Sequence, residues 1–385
     1  MEQRRIYGKN HWYHETQATI CPVDVLPLVP EAADVEDRFL LDLVLPDDLR
    51  QAHARWLTPA RQLADALFPA SVNDDRLPTF NAYDRLSTAL TAAQVYGVQR
   101  LCNHYAARLA PLPGPDSSRE SNRRLAQMTQ YARQLASSPW VINAQARRQL
   151  DEVGLSRDDI ILINQIIGFV GFQARAIAAL QAAQGYPVRW LPGMSQQEDA
   201  PEESFISGDV DWEPGIDDYG LGYENDEYLS LLAKWQNHPG LSDLAPLLAI
   251  QGPPLDVLEQ LLAHLSEAQP FAAQAALVSA RINGSISCFN AWAARYPDLA
   301  PLTAALRGNE PDIHRWGKNH PIEYQILHSA RLLTRAPDRF STDRLTLLIE
   351  QGLSRTAAID LLVWCGLCGW MNRLKIALGN VPPQT

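Results

Sequence analysis

The sequence predicts an all-α protein built as two tandem copies of one helical unit, and two observations carry that prediction. From Leu49 onward Ala, Leu, Gln and Arg dominate, and apolar residues recur at three and four spacing, as in Leu86, Leu90, Ala93 and Gly97. The second observation is an internal repeat. Glu152-Val-Gly154-Leu155-Ser156-Arg157 returns as Glu350-Gln-Gly352-Leu353-Ser354-Arg355 at an offset of 198 residues. That offset also carries Ala132-Arg133 to Ala330-Arg331, Pro139 to Pro337, Gly168 to Gly366, Gly171 to Gly369, Arg175 to Arg373 and Leu180 to Leu378. The repeated glycines predict close helix approach, and the two arginines a common environment.

The elements follow in order. Residues 1–48 read as an N-terminal arm, opening on Tyr7-Gly8-Lys9-Asn10-His11-Trp12-Tyr13-His14. Its two histidines lack a carboxylate or cysteine at ligand spacing, so it reads as a surface arm and not a metal site. Gly8-Lys9-Asn10-His11 returns as Gly317-Lys318-Asn319-His320, a chance match or a shared interface contact. The first helical unit spans 49–185, with helices expected over 85–109, 123–137, 141–153 and 158–184. Ser156 is the expected N-cap of the last, with Asp158 and Asp159 in its first turn, and its apolar residues on several faces predict burial. Cys102, with His104 off its helical face, reads as a core cysteine.

Residues 186–228 form an acidic linker. Twelve Asp/Glu and no Lys/Arg fall between Gln196 and Glu227, which leaves the rest of the chain near neutral although the whole carries −11. Such composition predicts a solvated connection, with Trp190, Phe205, Trp212, Tyr219 and Tyr223 packing parts of it on the helices. The second unit, 229–385, contains the thiols of interest and ends in Val381-Pro-Pro-Gln-Thr, which cannot continue a helix.

Composition excludes several classes of function. An apolar fraction of 46% and a charged fraction of 20% describe a globular protein. No apolar run is expected to reach the roughly 20 residues of a bilayer span, and no basic stripe points to nucleic acid. Five cysteines in a chain of this length argue for a reducing cytoplasm and against a disulfide framework. There is no GxGxxG, Walker-type or HExxH motif, so neither a cofactor nor a metal is expected. His104, His264 and His328 read as surface or satisfied core residues.

The stretch with most chemistry is Ala280-Arg281-Ile282-Asn283-Gly284-Ser285-Ile286-Ser287-Cys288-Phe289-Asn290-Ala291-Trp292. A cysteine early in a helix beside an arginine is in the setting that lowers a thiol pKa. The stretch resembles the cysteine helix of the carboxymuconolactone decarboxylase and AhpD-like alkylhydroperoxidase superfamily, Arg-Val-Asn-Gly-Cys-x-x-Cys-x-x-x-His. Arg281, Asn283, Gly284 and Cys288 fit. Ser285 stands at the first cysteine, Trp292 at the histidine, and Ala273 near the place of the upstream glutamate. In the first unit Cys102, Gln99 and Ala106 occupy the corresponding helix. Cys368-Gly369-Trp370-Met371-Asn372-Arg373 resembles the family's closing helix, which packs beside the cysteine helix.

The resemblance implies two AhpD-like helical domains, a homo-oligomer (trimer or dimer), a small hydroperoxide substrate and a thiol reductant. It also implies thiol-dependent oxidoreductase activity. Cys288 would attack a peroxide and Cys365 or Cys368 would resolve the sulfenic acid, with Arg281 or Arg373 holding the thiolate and Asn283 ordering the helix start. Trp364-Cys365-Gly366-Leu367-Cys368 lies well inside a helix, so apolar surroundings should raise those two pKa values, and they read equally as core cysteines. The competing reading is a catalytically silent relative that binds a ligand or partner, because Ala273 and Trp292 cannot relay protons.

Overall fold

The computed structural model describes residues 31–69, 80–189, 193, 196–206, 211–216, 225–238, 240–252, 254–266 and 270–380. The histidine-containing arm, the first Gly-Lys-Asn-His tetrapeptide, Trp190, Tyr219 and Tyr223 lie outside them. The chain is all-α, with seventeen α-helices among the described residues and no pairing of extended backbone there beyond one bridge, Pro214 to Gly379.

The first half holds α1 (Asp47–Ala52), α2 (Ala54–Leu67), α3 (Ala82–Tyr96), α4 (Gln99–Leu109), α5 (Arg119–Ser137), α6 (Ala144–Asp151) and α7 (Arg157–Ala183). The second half holds α8 (Asp226–Trp235), α9 (Ala245–Leu248), α10 (Pro254–Ser266), α11 (Ala272–Asn283), α12 (Ile286–Arg295), α13 (Ala300–Arg307), α14 (Glu310–Asn319), α15 (Pro321–Arg335), α16 (Thr342–Glu350) and α17 (Arg355–Leu378). Side-chain caps fix many starts. Asn81 with Asp84, Ser156 with Asp159 and Asn309 with Asp312 form capping boxes. Ser354 caps α17 by accepting from Ala357 N–H.

The expected single helix over 85–109 is instead two. Gly97 takes a left-handed conformation (φ +72°) and ends α3, as a glycine C-cap does. Gly284 (φ +81°) does the same after α11.

The sequence repeat is reproduced in the elements: α5 and α15, the turns Pro139–Val141 and Pro337–Arg339, α6 and α16, and α7 and α17 all correspond at the 198-residue offset. The two long helices α7 and α17 pack on each other at the centre, and α2 packs on α10. One continuous apolar core runs through both halves. The acidic segment is also part of this body. Phe205 is buried, Ala200 N–H donates to Ile282 O (3.1 Å), and Gly215 N–H donates to Leu378 O (2.7 Å). Its described portions are strapped over the second half and are not a solvated linker, because Phe205 and Trp212 supply the apolar contacts that offset the ordering cost.

Helices α7 and α17 correct another expectation: both are long and apolar enough to cross a membrane by length and composition, yet 100% and 89% of their apolar windows are buried inside the fold. Their close approach depends on the repeated glycines. A Cβ built on Gly168 would lie 2.0 Å from Trp370 Cδ1, and one on Gly366 would lie 3.3 Å from Phe172 O. Trp370 is itself locked, with its Nε1–H donating to Gln165 Oε1 at 3.1 Å. Gly168→Ala should therefore cost about 1–3 kcal/mol through overpacking, read as a lowered midpoint in chemical denaturation. An unchanged midpoint would mean that Trp370 repacks freely.

Candidate functional site

The site forms where α12 crosses α17. Gly284 turns the chain so that Ser285 precedes α12 and Cys288 falls in that helix's first turn. Trp292, one turn further on, meets Trp364 of α17 edge to face (ring centroids 5.9 Å apart). Since residues four apart share a helix face, Cys288 and Cys368 lie on the same contacting faces, one turn from that pair. Cys368 feels the charges of both Cys288 and Cys365. Trp292, at the place of the family's histidine, is thus a packing residue.

Cys288 is partly buried, and Cys365 and Cys368 are buried. Burial pushes the Cys288 thiol above its ordinary pKa, opposed by the Lys375 ammonium and by the hydroxyls of Ser285 and Ser287. Burial also pushes Cys365 up to about 12 and Cys368 well above the ordinary value. Lys375 pairs with Asp243 and lies 4.2 Å from the centroid of the Trp212 ring. The expected lowering of the Cys288 pKa by Arg281 is not found, because Arg281 is turned away. Its Nε donates to Leu306 O (2.7 Å) and its Nη1 to Ala200 O (2.6 Å), and its guanidinium lies over Phe205.

Arg373 is also engaged elsewhere. Its Nε donates to Leu135 O (3.0 Å), its Nη1 to Gly369 O (3.0 Å), and its Nη2 to Ala136 O (2.9 Å) and Gln197 Oε1 (3.2 Å). Gln197 in turn donates from Nε2 to Asn283 Oδ1 (2.9 Å). The acidic strap therefore holds Arg281 through Ala200, and Asn283 and Arg373 through Gln197. It is fastened next to them by Asp199, which takes Arg335 in a two-pronged contact (2.7 and 2.5 Å). Asp199 and Arg335 are both about a quarter exposed, so solvent screens the pair. Asp199→Ala should cost about 1 kcal/mol and speed protease cleavage within the strap; unchanged cleavage kinetics would show that the contacts of Gln197, Ala200 and Phe205 hold it without the ion pair.

The second half's site borrows from the first. Trp140 packs on the Gly284 turn, its Cβ 2.7 Å from where a glycine Cβ would be, and the equivalent Asp338 packs on the Gly97 turn. Sequence spacing could not reveal this exchange, although the 198-residue offset relates Trp140 to Asp338. Beside Gly97, a cleft of about 40 Å³ lined by Gln99, Arg189 and Asp338 has room for a few waters. Cys102 is pushed up to about 12 by burial. His104 is a satisfied core residue, with Nδ1 2.7 Å from Ala32 O. Among the described residues no group of three His, Cys, Asp or Glu is placed to hold a metal ion.

The repeat supplies an internal control that the sequence only half disclosed. The face of α17 carrying Cys365, Cys368, Asn372 and Lys375 corresponds to Ile167, Val170, Ala174 and Ile177 of α7. The same fold position is plain hydrocarbon in one copy and thiol, amide and ammonium in the other. No family model matches the chain, and no curated protein matches it.

Proposed function

We propose that the protein is a thiol-dependent oxidoreductase of the alkylhydroperoxidase type in which Cys288 reacts with a small hydroperoxide and Cys368 resolves the product. The observation that carries the reading is the one-sided stripe Cys365–Cys368–Asn372–Lys375. Apolar residues suffice at these positions in the other copy, so packing alone does not call for the two thiols and the amide. Cys368 is favoured over Cys365 as the resolving thiol because Cys368 shares the face defined by Trp364. In the first step the Cys288 sulfur attacks a peroxide oxygen, an S–O bond forms, the O–O bond breaks and an alcohol or water leaves. Cys368 then displaces water from the sulfenic acid to give a disulfide, which an external dithiol reduces. Assembly as a dimer or trimer and a cytoplasmic setting belong to the same proposal, and light scattering on the purified protein checks the assembly.

A raised thiol pKa makes the thiolate scarce at neutral pH, so the oxidation rate should climb about tenfold per pH unit between 7 and 9. The test is one equivalent of hydroperoxide on the reduced protein, followed by intact mass and peptide mapping. The reading expects a Cys288–Cys368 disulfide that is lost in Cys288→Ser. Slow oxidation spread over all the cysteines would overturn it. That result would favour a catalytically silent, ligand- or partner-binding protein, a reading supported by the commitment of Arg281 and Arg373 to backbone carbonyls.

A further inference from the structure

Around the Gly284 turn, three buried hydrogen-bond donors are left over. Asn283 Nδ2, Ser285 Oγ and Asn372 Nδ2 belong to residues 0%, 1% and 3% exposed, and none makes a hydrogen bond of ordinary geometry. Buried polar groups are nearly always partnered, and an unpartnered one costs stability, so three in one place require a reason. They are adjacent. Asn283 Nδ2 lies 3.9 Å from the Cβ position of Gly369. Asn372 is one turn beyond Cys368 and Gly369 on α17, and Ser285 is one turn before Cys288 and within reach of its sulfur. The first copy lacks part of this set: Ala174 stands where Asn372 does.

We propose that Asn372 and Ser285, with Asn283 beside them, form a donor pocket for the oxygen that oxidation places on Cys288, so that the site stabilises a cysteine sulfenate. The proposal rests on the oxidoreductase reading and deepens it. With hydrogen peroxide the Cys288 thiol first gives its proton to solvent, and the thiolate sulfur then loses two electrons to the peroxide. An S–O bond replaces the O–O bond, the leaving hydroxide combines with a proton from solvent to give water, and the sulfenic acid gives its own proton to solvent. The new S–O⁻ has lone pairs for two or three donors, and the pocket offers them in a place where no side chain or backbone group bonds to them. Bonds of this charge-assisted kind are the strong ones. The pocket would delay over-oxidation and hold the sulfenate until Cys368 arrives.

The test uses the full chain carrying Cys368→Val, the residue the first copy has at Val170, so that the sulfenate cannot resolve. One equivalent of hydrogen peroxide is added, and the sulfenate at Cys288 is followed by intact mass and by a sulfenate-trapping diketone. Asn372→Ala installs the first copy's residue and should fold, with a melting temperature equal to or about 2 °C above its parent because an unpaired amide is gone. Its sulfenate should be lost about tenfold faster or more, and Ser285→Ala should act the same way. In Asn372→Ala the alkylation of Cys288 by iodoacetamide, which creates no S–O⁻, should stay within about twofold of the parent. A sulfenate of unchanged lifetime in both variants overturns the pocket alone, as does a large fall in melting temperature for Asn372→Ala, which would make the amide structural. Absence of any sulfenate at Cys288 in the Cys368→Val parent overturns the oxidoreductase reading and the pocket with it.

Discussion

Replacing Arg373 with methionine should cost about 3–5 kcal/mol of folding stability, the largest loss expected from any single substitution at the centre of the molecule. The reason lies in a proline. Helix α5 ends at Ser137, and the amide that would bond Leu135 O belongs to Pro139, which has no N–H. Arg373 Nε supplies that bond from the other half of the chain, and its Nη2 supplies Ala136 O. The repeat enacts the same exchange in reverse: Arg175 Nη2 donates to Thr334 O in the last turn of α15, just before Pro337. Each long helix thus caps the carbonyl end of the other copy's helix, where the helix dipole is negative. Methionine fills the volume but leaves two buried carbonyls unpaired.

The two arginines also repel each other across Tyr96, and burial together with that repulsion lowers Arg175 to about 10. An Arg175→Met, Arg373→Met double variant should therefore lose more than the sum of the single losses, since each single substitution also relieves the repulsion and the double variant gains that relief only once. Chemical denaturation of the three variants measures the coupling. Strict additivity would mean that the guanidinium charges are screened from one another.

This exchange explains what was and was not legible in the sequence. The offset repeat gave the helices, Ser156 and Ser354 as caps, the paired glycines, and the shared setting of Arg175 and Arg373, because each rests on local chemistry repeated twice. Tandem placement in the chain does not say whether copies sit side by side or interlock. Only the α7–α17 contact reveals that Arg373 bonds to α5. The acidic strap was misread for a related reason: net charge suggests solvation, whereas Gln197, Ala200 and Phe205 make their contacts through an amide, a backbone group and a ring. Arg281 was misassigned because one residue of turn, Gly284, swings α12 away from α11. Which faces of α12 and α17 meet was open until the contact between Trp292 and Trp364 showed it.

The thiols lead to the second large effect, alkaline unfolding. In the native chain burial raises Cys102 and Cys365 to about 12 and Cys368 well above its ordinary value of 9.0. A raised native pKa means that the folded state keeps a proton which the unfolded state releases. The associated stability is fully present below pH 9 and is lost as pH rises from there towards 12. At pH 10 Cys102 and Cys365 each remove about 1.4 kcal/mol, together about 3 kcal/mol, a large part of a typical domain's stability, and Cys368 acts in the same direction. Burial raises Tyr105 and Tyr131 as well, and they add to the slope at higher pH. Denaturation midpoints under reducing conditions from pH 7 to 10.5 should fall steeply above 9. A Cys102→Val, Cys365→Ile, Cys368→Val variant, built with the first copy's residues on α17, should keep most of that stability. An equally steep fall in the variant would show that the thiols ionise within the folded protein, in which case Cys368 would be a ready thiolate and the resolving step would need no protection from solvent. The same burial that keeps these thiols protonated at neutral pH thus ties them to the core that holds the two copies together.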